Sequence, residues 1–243
     1  MLRAISAELQ KWRRTWFVLV TVAASLVTPV LLCIAFLLSD RQATWDQLFG
    51  QATMFEMLFI GPLVVTLIGA QSISTEYQYD TWKLSLTSPI PRWKIYMAKW
   101  IVGLVWNLAL GVIVLGGNLL VGFLLGATGP LNLGVYVTYF LLAGVGLTVM
   151  LPVYHFITLV TRSFFVTSGV GIVSTFVGLF IINSKYAAIY PHSGMAIMLS
   201  AMTGDKIHPE MIGSWPVWIA IQVGVFLAAL LGSTLFVHKA DYR

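Results

Sequence analysis

Residues 100–161 read WIVGLVWNLALGVIVLGGNLLVGFLLGATGPLNLGVYVTYFLLAGVGLTVMLPVYHFITLVT and contain no Asp, Glu, Lys or Arg. A membrane-crossing helix needs roughly 20 apolar residues, at 1.5 Å rise each, to cover ~30 Å of hydrocarbon. The run is too long for one such helix, so the place where it breaks sets the topology. Its strongest break is GATGPLNLG at 126–134, where Gly and Pro together mark a turn, and splitting there gives two spans. A further turn at LGGN, 115–118, would give three spans and put Lys99 and Arg162 on opposite faces.

Outward from this run, 58% of the 243 residues are hydrophobic and mean hydropathy is +0.88, far from the range of soluble domains. The chain reads as an all-α integral membrane protein forming one membrane domain over 1–243. Its six spans fall at about 16–38, 55–73, 101–126, 133–158, 164–182 and 217–237. With both termini on one side, that side collects eleven of the 14 Lys and Arg residues, and the other holds only Arg41, Lys185 and Lys206. Positive residues stay inside, so the reading is a multi-pass protein of a bacterial plasma membrane with N- and C-termini cytoplasmic. The net charge of +5 describes one face of a bilayer and is no nucleic-acid signal.

Residues 1–15 place Leu2, Ile5, Leu9 and Trp12 at helical spacing beside Arg3, Lys11 and Arg14, as expected of an amphipathic helix at the inner surface; simple positive-inside anchoring is the alternative. The first outer loop is expected at 39–54. Before the sixth span, 183–216 contains the apolar patch MAIMLSAM, too short to span, which reads as a re-entrant or interfacial segment or as an ordinary structured loop. Cys33, the one cysteine, has no internal disulfide partner, and LLSDRQATW after the first apolar run offers no signal-peptide cleavage site.

Catalytic chemistry has no foothold. GxxxxGK[ST], HExxH, GxSxG and metal-spaced Cys/His clusters are all missing from the sequence, so ATP hydrolysis by the chain itself, and cofactor or metal binding, are not expected. The four histidines read as solvated boundary residues, and Glu56 as a carboxylate at the outer mouth of the second span, within reach of water. Asn107 and Asn118 are expected to bond between helices. Pro29, Pro62 and Pro152 are expected to bend their spans.

Polar chemistry concentrates instead at 74–100, STEYQYDTWKLSLTSPIPRWKIYMAKW. Ser74 is placed to cap a short helix with Glu76 in its first turn, where the helix dipole favours a carboxylate. Tyr79, Trp82 and Leu86 would share one stripe, and Glu76, Asp80 and Lys83 a polar flank. Pro89 and Pro91 would set a corner. A second helix from about Arg92 would carry Trp93, Tyr96, Met97 and Trp100 at the interface and Lys99 near the headgroups.

This pattern resembles the ABC-2 permease family, the membrane subunits of one class of ABC exporter, and most of all its small lantibiotic-immunity and bacitracin-resistance permeases. The resemblance rests on six spans, a basic N-terminal helix, and Glu76 followed by Thr81, Trp82, Lys83, Leu84, Leu86 and SPIPRWKIYMAK at 88–99. It implies a cytoplasmic coupling helix inserted into an ATPase subunit, with Glu76, Tyr77, Tyr79, Asp80, Thr81, Trp82, Lys83, Pro89, Pro91 and Arg92 as coupling residues. Thr161, Arg162 and Ser163 fall where a second, smaller contact would lie. It implies two cytoplasmic ABC ATPase subunits that bind ATP and Mg, a second permease copy or homologue, and an amphiphilic peptide, antibiotic or lipid-like cargo. Asp80 stands where the family often has Gly. The rival expectation is a membrane scaffold or sensor subunit that binds a partner and transports nothing.

Overall fold

The computed structural model describes residues 1–13, 15–39, 42–82, 90–187, 189–193 and 215–239. Every regular element among them is helical, apart from one isolated parallel bridge between Thr44 and Thr128. In chain order they are α1 (Leu2–Arg13), α2 (Phe17–Leu38), α3 (Trp45–Phe55), a π-turn (Glu56–Ile60), α4 (Gly61–Gln78), α5 (Arg92–Leu124), α6 (Leu133–Thr148), α7 (Leu151–Thr161), α8 (Phe164–Ile181) and α9 (Trp215–Lys239). Six helical segments are long and apolar enough to cross a membrane: α2, α3 through α4, α5, α6 with α7, α8 and α9. LGGN at 115–118 lies inside α5 without breaking it.

The first loop is shorter than expected, because 45–54 is helix and not loop. Thr44 and Gln47 form a capping pair, the Gln47 amide donating to Thr44 Oγ1 at 3.3 Å, and Asp46 sits in the first turn. The Trp45 amide donates to the Thr128 carbonyl at 3.1 Å and the Thr128 amide to Ala43 at 2.9 Å, so this start is tied to the turn that divides the charge-free run. Tyr136 Oη donates to Asp46 Oδ1 at 2.5 Å.

The second and fourth spans form the interior, and the other four expose most of their length. Lipid supplies no hydrophobic drive for helix association, so close approach at small residues does the holding. A Cβ at Gly69 would lie 2.7 Å from Tyr154 Cβ, and one at Gly171 would overlap Thr66. Asn107 bonds between helices as expected, its Nδ2 donating to Gly144 O at 2.9 Å, whereas Asn118 bonds only within α5, to Val114 O.

Two of the three prolines leave visible breaks. Pro152, with no N–H, follows the interruption at 149–150 between α6 and α7. Pro62 follows the π-turn, in which the Gly61 amide reaches back five residues to the Glu56 carbonyl. Pro29 leaves α2 unbroken and packs on Gly117. Glu56 is not at a helix mouth: α3 places eleven residues of helix before it, and it is 7% exposed. His155 and His192 are likewise buried, not solvated, bonded to Ser72 Oγ at 2.8 Å and Tyr154 Oη at 2.7 Å.

A Cβ at residue 61 would meet the Glu56 carbonyl oxygen at 2.5 Å and also Leu147. Gly61→Ala is therefore expected to destabilise the protein by about 1–3 kcal/mol, while Gly116→Ala, with nothing within 4 Å, is neutral or mildly stabilising. Thermal unfolding midpoints in detergent compare the two.

Candidate functional site

The segment singled out at 74–100 folds differently from its expected form. Ser74 caps nothing. It lies buried inside α4, and Glu76 is in the last turn of α4 instead of the first turn of a new helix. The helix ends in a Schellman motif: the Thr81 amide donates to the Glu76 carbonyl at 2.9 Å and the Asp80 amide to the Tyr77 carbonyl at 3.4 Å, with Asp80 at φ 52°. Lys83, Leu84, Leu86 and Pro89 lie outside the described residues, as does the apolar patch at 195–202. The chain is described again from Ile90, and Pro91 leads directly into α5.

Behind this turn is a buried cluster of four charges. Lys99, 1% exposed, donates to Glu8 Oε2 at 2.9 Å, Glu76 Oε1 at 2.7 Å and the Ser72 carbonyl at 3.1 Å. Those three bonds use all three ammonium protons. Lys11 adds bonds to Glu8 Oε1 at 2.8 Å and Glu76 Oε1 at 2.6 Å, and Thr81 Oγ1 donates to Glu76 Oε2. Burial pulls the Lys11 ammonium down, but the Glu8 and Glu76 carboxylates outweigh it and hold it above the ordinary lysine value. Two carboxylates thus meet two ammoniums, and α1, the end of α4 and the start of α5 are joined at one point.

This cluster corrects four expectations, those for Lys99, Tyr96, Glu76 and Trp82. Lys99 is interior and not at the headgroups, and Tyr96, fully buried, does not face the interface. In α1, Ala4, Glu8 and Trp12 are buried and Ile5 packs partly buried on the core, while Leu2 and Leu9 of the apolar stripe stay exposed at 83% and 40%. Glu76 and Trp82 are not on an outer flank or stripe. Trp82 packs with Ile73, Tyr96, Leu159 and Val237, beneath the Lys99 ammonium at 5.8 Å from its ring.

What remains exposed comes from two distant parts of the chain. Tyr79 and Asp80 are exposed, Thr81 partly so. At 161–163, Arg162 takes a left-handed conformation, φ 53°, and Ser163 caps α8 by accepting from the Val166 amide at 3.3 Å. The Arg162 guanidinium lies 5.6 Å from the centre of the Tyr77 ring, and Tyr77 Oη donates to the Leu159 carbonyl at 3.3 Å. Arg92 turns to the other side, where Nη1 donates to the His238 carbonyl at 2.9 Å and the Val237 carbonyl at 3.4 Å, satisfying open carbonyls at the end of α9. Thr161 bonds back to Ile157 within α7. Among the described residues, no group of three or more His, Cys, Asp or Glu could hold a metal ion.

Residues 4–178 match the ABC-2 family of transporter proteins. The chain belongs to this family. It is also similar, at 24% identity over 174 residues covering 70% of the chain and 83% of the relative, to the bacitracin transport permease protein BCRB of Bacillus licheniformis. Members of the ABC-2 family are membrane subunits of transporters and not ATPases, and membership implies association with an ABC ATPase and with the membrane.

Asp80 sits at a left-handed angle, φ 52°, which favours Gly, and Asp is among the few others that enter this region without large strain. The sequence reading missed Glu8 entirely. Its signal was present in the Ala4, Glu8, Trp12 spacing, beside the Leu2, Ile5, Leu9 and Trp12 stripe that the apolar periodicity marks. The pairing of Tyr77 with Arg162 had no local signal, because the two are joined only by the packing of α4 on α7.

Removing the Lys99 charge strands two buried carboxylates on one ammonium that is 38% exposed. Lys99→Met is expected to cost about 3–5 kcal/mol, and Glu8→Gln combined with Lys99→Met less than the sum of the singles, read from a double-mutant cycle of unfolding midpoints. At the turn, Asp80→Gly should leave exchange of the Thr81 amide unchanged or slower. Asp80→Val, which costs about 1–2 kcal/mol in a left-handed conformation, should speed it in hydrogen-exchange mass spectrometry.

Proposed function

We propose that the chain is the permease subunit of an ATP-driven exporter, that its exposed Tyr79, Asp80 and Arg162 surface receives an ATPase subunit, and that this surface faces the cytoplasm. The observation that carries this reading is the contact of Arg162 with Tyr77, which gathers the two segments expected to meet the ATPase into one patch. The orientation rests on the eleven-to-three Lys and Arg bias. Two permeases, identical or homologous, and two ATPases make the working assembly, with ATP and Mg held by the ATPases.

The buried charges then have a mechanical role. A push on the turn at 79–82 is not absorbed locally, because Glu76 and Thr81 are tied through Lys99 to α5 and through Lys11 to α1. The second span carries the displacement into the interior of the bundle, and packed elements of this kind switch between arrangements without deforming smoothly. Glu76 and Trp82 serve the patch from behind, as supports. Apolar and aromatic walls suit an amphiphilic cargo moved outward.

Tyr79→Ala combined with Arg162→Ala tests the patch without touching the buried cluster. Affinity-purified from bacterial membranes, the wild-type chain is expected to bring a phosphate-loop ATPase at about one copy per permease, and the double variant about tenfold less, the loss of roughly 1.4 kcal/mol, with its unfolding midpoint unchanged. Full ATPase recovery with the variant contradicts the docking assignment. A complex that hydrolyses ATP but moves nothing in liposomes contradicts the exporter and favours a scaffold.

A further inference from the structure

The charge cluster uses one face of α1, and the rest of that helix is open to its surroundings. Leu2 and Leu9 are seven residues apart, so they share one side of the helix, and both are exposed. Trp16 and Leu19, exposed at 71% and 72%, carry the same apolar character into α2, which is long and apolar enough to cross a membrane. Arg3 and Gln10, again seven apart, form an exposed polar edge beside the leucines, with exposed Ser6 on the border between the two.

The charge on this open side has one sign. Glu8 is the one acidic residue before Asp40 in the sequence; it is buried, and its two carboxylate oxygens are taken up by Lys11 and Lys99. It is therefore not available to neutralise Arg3. Arg3 sits in the first turn of α1, which holds no acidic residue, so its charge adds to the positive end of the helix dipole instead of opposing it. Arg13 and Arg14 follow in the sequence before α2. An exposed apolar edge beside a basic one, leading directly into a spanning helix, is complemented by an anionic bilayer: acyl chains cover the leucines, and headgroups of net negative charge answer the arginine.

We propose that this face of α1 is a contact site for anionic phospholipid, selective for headgroup charge through Arg3. A zwitterionic lipid would cover Leu2 and Leu9 equally well but would bring its own cationic group to Arg3. A second copy related by twofold symmetry would set a surface of purely positive charge against itself. Glu8 ties the buried side of the same helix to Lys99, so lipid and ion pairs hold α1 from different sides. The contact requires no ATP, ATPase or cargo.

Ser6 takes the reporter: Ser6→Cys in a Cys33→Ala background, labelled with bimane, in nanodiscs of phosphatidylcholine with about one-fifth phosphatidylglycerol. Two preparations carry bromine on the same fraction of lipid, in one on phosphatidylglycerol and in the other on phosphatidylcholine. Brominated phosphatidylglycerol is expected to quench about threefold more strongly than brominated phosphatidylcholine. Arg3→Gln should bring the ratio toward one, Arg3→Lys should preserve it, and high salt should lower it. A label at Val173, exposed in α8, reads the bulk mixture. Absence of quenching by either lipid, meaning that protein covers the face, overturns the proposal, as does equal quenching by both or an unchanged ratio in Arg3→Gln. The two lipids are compared with Arg3 intact, so the test survives a variant that fails to fold. Because no ATPase is present, failure here leaves the docking patch standing, and failure of docking leaves this site standing.

Discussion

A lysine ammonium at 1% exposure is tolerable only if its charge and all its protons are answered, and the arrangement around Lys99 follows from that demand. Glu8 of α1 and, from α4, Glu76 and the Ser72 carbonyl answer it, so both helices are tied to α5 at this one ammonium. The N-terminal helix turns Ala4, Ile5, Glu8 and Trp12 inward, a small apolar surface that the ion pairs of Glu8 supplement. The end of α4 must stay in register with α5 for Glu76 to reach Lys99. The Schellman turn places Thr81 to bond Glu76 from the other side. A set of buried ion pairs gains little stability over an apolar core, so the benefit of this one lies in fixing how three elements sit.

That constraint separates support from contact. Glu76, Trp82 and Arg92 carry the most conspicuous chemistry in the polar segment, and all three face inward or toward other helices of the bundle. Tyr79 and Arg162 are less conspicuous and are the ones left exposed. The same logic holds at mid-span, where Asn107 joins α5 to α6 and the buried histidines are tied to Ser72 and Tyr154. Even Glu56, deep in the second span, is bonded within the bundle, to Thr28 of α2.

Spans were legible in the sequence because hydropathy and length act locally: the break at 126–134, the unbroken helix through 115–118 and the start of α5 at Arg92 all follow from adjacent residues. The helix at 45–55 was legible too, in the Thr44 and Gln47 pair, but polar residues around it read as loop. The interior positions of Lys99, Glu8 and Trp82 were not legible, because charge and aromaticity near a span end predict a headgroup location unless a partner is known. Those partners sit 91 residues apart for Glu8 and Lys99, a distance at which periodicity says nothing. Asp80 drew attention in the sequence as a residue standing where Gly was expected, and its backbone angle is one that Gly favours.

The central claim is that the Lys99 cluster makes the N-terminal helix and the turn at 79–82 one rigid unit. Spin labels at Leu2 and Tyr79, 83% and 73% exposed, lie on those two elements and outside the cluster. Pulsed electron resonance on the doubly labelled chain in nanodiscs is predicted to give one narrow distance distribution, which broadens on introducing Lys99→Met. A broad distribution in the parent chain, or the same narrow one with and without Lys99, would contradict the account.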